Sequence, residues 1–284
     1  MGRRYDINRG TKAAAFWYIT AIFLICSTVE YIEFLFLKTD QTILGENIIC
    51  KLVILAVIVL CLRRTDMRWA DLGFRKNGLF KGMLYGFMLG AVTFAVSYLA
   101  EYVVLLISGK HPHLGFFVTN FALTGQNVTG LSLGAVIICI AGNILNVWAE
   151  EGLFRGLFLH LGQKGFSQRR ANLLQALLFG IWHIVMVVQW VAEGQMGIGQ
   201  ALLMAAGYVL LAGVLGYEWG LCAALTGTLW TGVFEHFFNN FIGNSLHMVT
   251  ESGIDELQIL RIVLSNLLSL TIVLLAARRS SRSA

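Results

Sequence analysis

Apolar residues run through this chain in blocks of about twenty, with polar residues gathered in short bursts between them. A block of that length is what a helix rising 1.5 Å per residue needs to cross a hydrocarbon layer of about 30 Å. The windows predict about eight spans, at residues 12–37, 47–62, 82–108, 131–160, 170–192, 197–217, 222–246 and 257–277. The expected fold is therefore all-α, a polytopic membrane helical bundle around a central polar cavity. It forms one transmembrane domain over residues 1–284, with a core near 129–247 and peripheral helices at 12–108 and 255–277.

The loops carry an independent signal. Arg3, Arg4, Arg9 and Lys12 precede the first span, and Arg63, Arg64, Arg68, Arg75, Lys76 and Lys81 fill the second loop. Lys164, Arg169 and Arg170 fill the fourth, and Arg278, Arg279 and Arg282 form the tail. The alternate loops hold Lys38 and Lys110 but are otherwise poor in cations, and one carries Glu251, Asp255 and Glu256. The positive-inside rule then puts both termini in the cytoplasm and makes the number of spans even. The basic start MGRRYDINRGTK precedes an apolar run too long for a signal-peptide core, so the first span is expected to be retained. Asp6 breaks the myristoylation pattern. In the second loop, Trp69, Leu72, Phe74, Leu79 and Phe80 alternate with basic residues, which predicts an amphipathic segment on the inner membrane face.

Composition agrees with a membrane protein. The chain is 57% hydrophobic and 13% charged, about half the charge of an ordinary soluble domain. Its net charge of +5 sits in loops beside apolar spans, so it encodes topology rather than nucleic-acid binding. Cys26, Cys50, Cys61, Cys139 and Cys222 are scattered without metal-ligand spacing and read as small buried hydrophobes.

Against this background one stretch stands out: Ala149-Glu150-Glu151-Gly152-Leu153-Phe154-Arg155-Gly156 puts three charges inside a span. Charge at bilayer depth is costly unless paired or hydrated, which makes the cluster a functional-site candidate. Glu151 and Arg155 are four apart on one helical face, in the favourable order for an ion pair. Glu150 is turned about 100° from Glu151, leaving it the less compensated carboxylate and a candidate general base. The alternative is that all three bridge neighbouring helices. Span five adds His183. Span seven adds His236 and Asn240, which share a face, while Glu235 and Asn239 point elsewhere. Counted inward at about 1.5 Å per residue, Glu150, His183 and His236 fall at similar central depth, which independent helix-bridging groups would have no reason to do. Gly142, Gly152, Gly156, Gly180, Gly227 and Gly232 would allow close helix approach around them.

The ordered set Glu150-Glu151-x-x-x-Arg155, Phe179-x-x-x-His183 and His236-x-x-x-Asn240 resembles the CAAX protease and bacteriocin-processing family (CPBP, or Abi), with an eight-span layout similar to its type II CAAX prenyl endopeptidases. The resemblance covers residues 150–240. It implies an intramembrane endopeptidase in which Glu150 activates water, His183 holds that water, His236 and Asn240 stabilise the oxyanion, and Glu151 and Arg155 form a supporting ion pair. A metal-free reaction with no cofactor is the favoured expectation. No HExxH motif is present, yet Glu150, His183 and His236 could also form a His₂Glu zinc site with a water in the fourth position.

Other polar residues suggest less. Glu30 and Glu33 are expected at a hydrated outer rim near Lys38. Glu101 and Arg261 lack evident partners, and His111, His113, His160 and His247 lie in loops or at span ends. Expected substrates are peptides or membrane-protein segments, lipidated ones among them, met within the lipid bilayer and not on nucleic acid. The expected location is a bacterial plasma membrane. Two other classes stay open on these residues: a non-proteolytic bacteriocin-immunity or scaffold protein, and a lipid or lipoprotein acyltransferase. A transporter could use intramembrane Glu and His as well, but no inverted repeat or broken helix is evident.

Overall fold

The structure, a computed structural model, describes residues 12–42, 46–119, 128–130, 133–253 and 255–283. Arg3, Arg4 and Arg9, on which part of the topology expectation rests, lie outside the described residues. Long runs of Leu, Ile, Val, Phe and Ala with a single proline in the chain favour uninterrupted helices, which also satisfy every interior backbone group where no water is at hand.

Eight helices follow one another: α1 (Lys12–Leu37), α2 (Ile48–Thr65), α3 (Leu79–Ile107), α4 (Leu133–Gln163), α5 (Gln168–Ala192), α6 (Ile198–Thr226), α7 (Trp230–Ser245) and α8 (Gln258–Ser283). Six of them, all but α2 and α7, are long and apolar enough to cross a membrane. Helix α2 carries Lys51, Arg63 and Arg64, and α7 has only 16 residues. Large apolar side chains point outward, with Trp17, Phe36, Ile107 and Leu203 each at least 66% exposed, while charged groups turn inward. That polarity is the reverse of a water-soluble fold and suits a lipid surround.

Two short antiparallel pairs depart from the all-helical expectation without changing the class. Strand β1 (His113–Phe116) pairs with β4 (Leu246–Val249), and β2 (Val118–Thr119) pairs with β3 (Val128–Gly130). They occupy the connections after α3 and α7, where helix is not required to satisfy the backbone.

Helices α3 and α7 meet along Gly82, Gly86 and Gly90. A Cβ at these positions would lie 2.4 Å from Trp230 Cβ, 2.6 Å from the Thr231 carbonyl oxygen and 2.5 Å from Phe238 Cδ1. Four-residue spacing puts the three on one stripe, the small-residue contact of membrane helices. Gly180 does the same between α5 and α6, facing the Val209 carbonyl at 2.4 Å. Gly227, read from the sequence as a close-approach residue, instead ends α6 in the left-handed region (φ 69°) with nothing near it.

The 67–82 segment meets its expectation only in part. Leu79 and Phe80, at the start of α3, are exposed, but Leu72 and Phe74 are buried in the core, and Phe74 stacks on Trp148 at 5.4 Å. The Gly73 carbonyl accepts from the Leu229 N–H (3.0 Å) and the Arg75 carbonyl from Trp230 Nε1 (2.7 Å). These contacts bury Leu72 and Phe74 against α4 and α7 rather than on an outer face.

Candidate functional site

Helix α4 changes winding at the charged cluster. It is α-helical to Glu150 and π-helical from Glu151 to Phe158. Such insertions are rare and concentrate at functional sites. All eight π residues are buried, with Gly152 set against Ile58 and Gly156 against Leu72.

Glu150 is 4% exposed and is not the uncompensated carboxylate that its own helix suggested. Its Oε1 lies 2.6 Å from Nζ of Lys51 on α2. The same ammonium is 3.9 Å from Glu30 Oε1 and 5.5 Å from the centroid of Trp182. The partner is 99 residues away along the chain, so no local spacing could reveal it. The available signal was a lone lysine inside an apolar span.

Glu151 carries two partners. Its Oε1 is 2.7 Å from Arg155 Nη2 and 2.9 Å from His236 Nδ1. The Arg155 guanidinium is flanked by Phe179 at 4.0 Å and Trp219 at 4.6 Å, so its charge is met by ring faces as well as by the carboxylate. Carboxylates only accept when ionised, so His236 Nδ1 carries the hydrogen in this contact. His236 Nε2 stands 3.8 Å from Glu150 Oε2.

His236 lies flat on Trp219, with centroids 4.1 Å apart and planes within 17°. Trp219 is held in turn by donating from Nε1 to Glu235 Oε2 at 2.8 Å. Ser269 Oγ meets both Glu235 Oε1 (2.5 Å) and Glu218 Oε1. A hydroxyl has one proton to donate, so one of these two carboxyl groups must itself donate to Ser269. Trp219, Glu218 and Ser269 escaped the sequence reading because nothing in their own helices ties them to His236.

His183 sits where α5 breaks between Trp182 and Ile184. Its backbone N–H bonds back to the Gly180 carbonyl, and its ring Nδ1 takes over the Phe179 carbonyl at 2.8 Å. A carbonyl only accepts, so Nδ1 donates and Nε2 is left as the acceptor of the neutral ring.

Glu150, His183, His236 and Asn240 all line one cavity of about 310 Å³. Trp182, Met186 and Trp190 wall it, and it reaches the surface between the α1–α2 and α5–α6 connections. A second chamber of about 140 Å³ shares His183, His236 and Asn240, which thus form the partition between the two. Asn239 faces away from the first cavity and donates to Asn266 Oδ1 at 3.0 Å.

Several secondary candidates take structural roles. Glu30 and Glu33 are no hydrated rim: they are 3% and 0% exposed, because α2 packs over them. Glu33 accepts from the Ile49 and Cys50 N–H groups (3.0 and 2.5 Å), capping the start of α2 from the neighbouring helix. Arg261 does find Glu101, at 2.5 Å, and also Asp255, which His247 contacts at 3.1 Å. The His111 backbone N–H bonds Glu251 at 3.0 Å.

One Glu150 oxygen holds the Lys51 ammonium, and no three His, Cys, Asp or Glu side chains among the described residues are arranged to hold a metal.

Comparison with known families adds one finding. Residues 132–242 match the family described as type II CAAX prenyl endopeptidase Rce1-like. This stretch is similar to the CAAX protease family. The Rce1-like match spans less than half of the 284 residues but contains Glu150, Glu151, Arg155, His183, His236 and Asn240. No curated protein and no solved structure matches the chain. The matched stretch holds α4, α5, α6 and most of α7, and with six apolar helices among the described residues the chain is an integral multi-pass membrane protein. Lys51 and Glu30 reach the cavity from helices outside that stretch.

Proposed function

We propose that the chain is an intramembrane endopeptidase that hydrolyses a peptide bond with a water activated by Glu150 and His183. The observation carrying this reading is that Glu150, His183, His236 and Asn240, from three helices, open onto one cavity. Glu150 Oε2, the oxygen not held by Lys51, accepts a proton from the water, while His183 Nε2 accepts the water's other hydrogen and fixes its lone pair toward the substrate carbonyl. Attack forms a tetrahedral oxyanion. Asn240 donates to it from its amide, and His236 does so from Nε2 when its ring carries a hydrogen on both nitrogens. Glu150 then returns the proton to the leaving nitrogen, so the proton count closes.

Lys51 holds one oxygen of Glu150 and leaves the other toward the cavity, and Trp219 fixes the plane of His236. No step uses a metal or another cofactor. Substrates are membrane-associated peptides or membrane-protein segments, lipidated ones included, and both termini face the cytoplasm of a bacterial cell. Peptidomics comparing wild-type with Glu150→Gln cells tests the reading. Peptides that depend on Glu150 report both the reaction and its substrate, and identical peptide profiles would overturn it.

A further inference from the structure

The cavity is lined by more carboxyl groups than cations. Five carboxyl groups line it: Glu30, Asp40, Glu46, Glu150 and Glu193. Lys51 serves Glu150 and stands near Glu30, and Lys38 reaches Glu193 at 2.6 Å. Glu30 is 3% exposed, yet its Oε2 has no hydrogen-bond partner. An unpartnered buried carboxylate oxygen is costly, and it marks where a donor belongs.

We propose that the cavity mouth binds a cationic side chain, lysine or arginine, of the peptide that is cut. Lys51 shows how an ammonium is received there: between Glu150 and Glu30 and beside the face of Trp182. Asp40, Glu46 and Glu193 repeat that chemistry nearer the surface. The carboxyl groups are strung along the cavity rather than converging on a point, and no metal-holding group of three occurs among the described residues, so the occupant is an extended organic cation rather than a metal ion. A volume of about 310 Å³ admits such a side chain with its flanking backbone.

Glu46 gives the site a pH dependence. Burial pushes its carboxyl up to about 8; Lys51 opposes this, while Glu150 and Asp40 add to it. Cys139 on α4 also faces it. Below that pH an arriving cation must expel a proton from Glu46, so affinity rises as pH increases through 8.

This inference rests on the endopeptidase reading for its substrate, but its test does not need cleavage. The full-length chain in nanodiscs is titrated with a dansyl-labelled apolar decapeptide bearing one central lysine, and with its norleucine counterpart, read by anisotropy. The lysine peptide should bind about tenfold or more tighter, the scale of one charge-assisted hydrogen bond. That preference should grow from pH 7 to 9 and fall toward unity in Asp40→Asn/Glu46→Gln. Unchanged norleucine binding shows that the variant is folded; should it be lost, Glu46→Gln alone is read the same way. Equal binding of the two peptides, or a lysine preference that survives the neutralising substitutions, overturns the proposal. Cleavage that persists in Glu150→Gln would instead defeat the endopeptidase reading and leave the lysine preference standing.

Discussion

Two buried charge clusters use the same residue types for opposite ends. At one, Arg261 joins Glu101 and Asp255 at 2.5 Å each, Asp255 is shared with His247 at 3.1 Å, and His247 Nε2 ends on the Phe117 carbonyl at 3.0 Å. None of these four side chains lines either chamber described above. At the other, Lys51, Glu150, His183 and His236 border a cavity, and Glu150 Oε2 and His183 Nε2 keep acceptor capacity that no donor among the described residues uses. The first network ties α3, α8 and the β-connections together, with Glu101 Oε1 buried and unpartnered in its midst. The second, the open one, can exchange protons with something that enters. Burial, charge and unused lone pairs do not separate them; access to a cavity does.

The largest expected effect falls on the open cluster. Glu150→Gln keeps the shape but removes the base, and cleavage should drop by about 10²–10⁴-fold, measured on a substrate found by peptidomics. Folding should survive, since Gln can still accept from Lys51. Arg261→Met should do the reverse. It leaves Glu101 and Asp255 buried without their shared cation, costing about 3–5 kcal/mol of stability in a detergent unfolding series, with the rate per folded molecule unchanged. A large rate loss in folded Arg261→Met would mean that the two clusters are coupled. Asn240→Ala comes next. One oxyanion donor is worth about 10²–10³-fold in kcat, with KM nearly constant, because the interaction forms only in the transition state. A rise in KM alone would make Asn240 a binding residue.

The difference between the clusters was only half legible in the sequence. Apolar blocks of helical length revealed the bundle, because lipid leaves the backbone few other choices. Spacing along single helices brought out Glu151 with Arg155 and His236 with Asn240, since three- and four-residue intervals are local geometry. Pairs between helices could not be seen. Lys51 stands 99 residues before Glu150, and the stack of His236 on Trp219 depends on how α6 meets α7. Glu30 and Glu33 depart from expectation for a related reason: distance from a span end does not give depth, and their burial comes from α2 packing over them. The Gly82, Gly86 and Gly90 stripe was present in the sequence and could have been found by its four-residue period.

The smallest expected effect concerns metal. Incubation with 1,10-phenanthroline, followed by gel filtration, should leave the cleavage rate unchanged. The reason lies in the open cluster itself: a zinc ion at Glu150 would have to sit beside an ammonium that already lies 2.6 Å from one oxygen of that carboxylate. Loss of activity on chelation, restored by added zinc alone, would require Lys51 to have left Glu150. In that event Lys51→Met should tighten metal binding, since it removes the competing charge, and the open cluster would owe its reactivity to the ion instead of to its unused lone pairs.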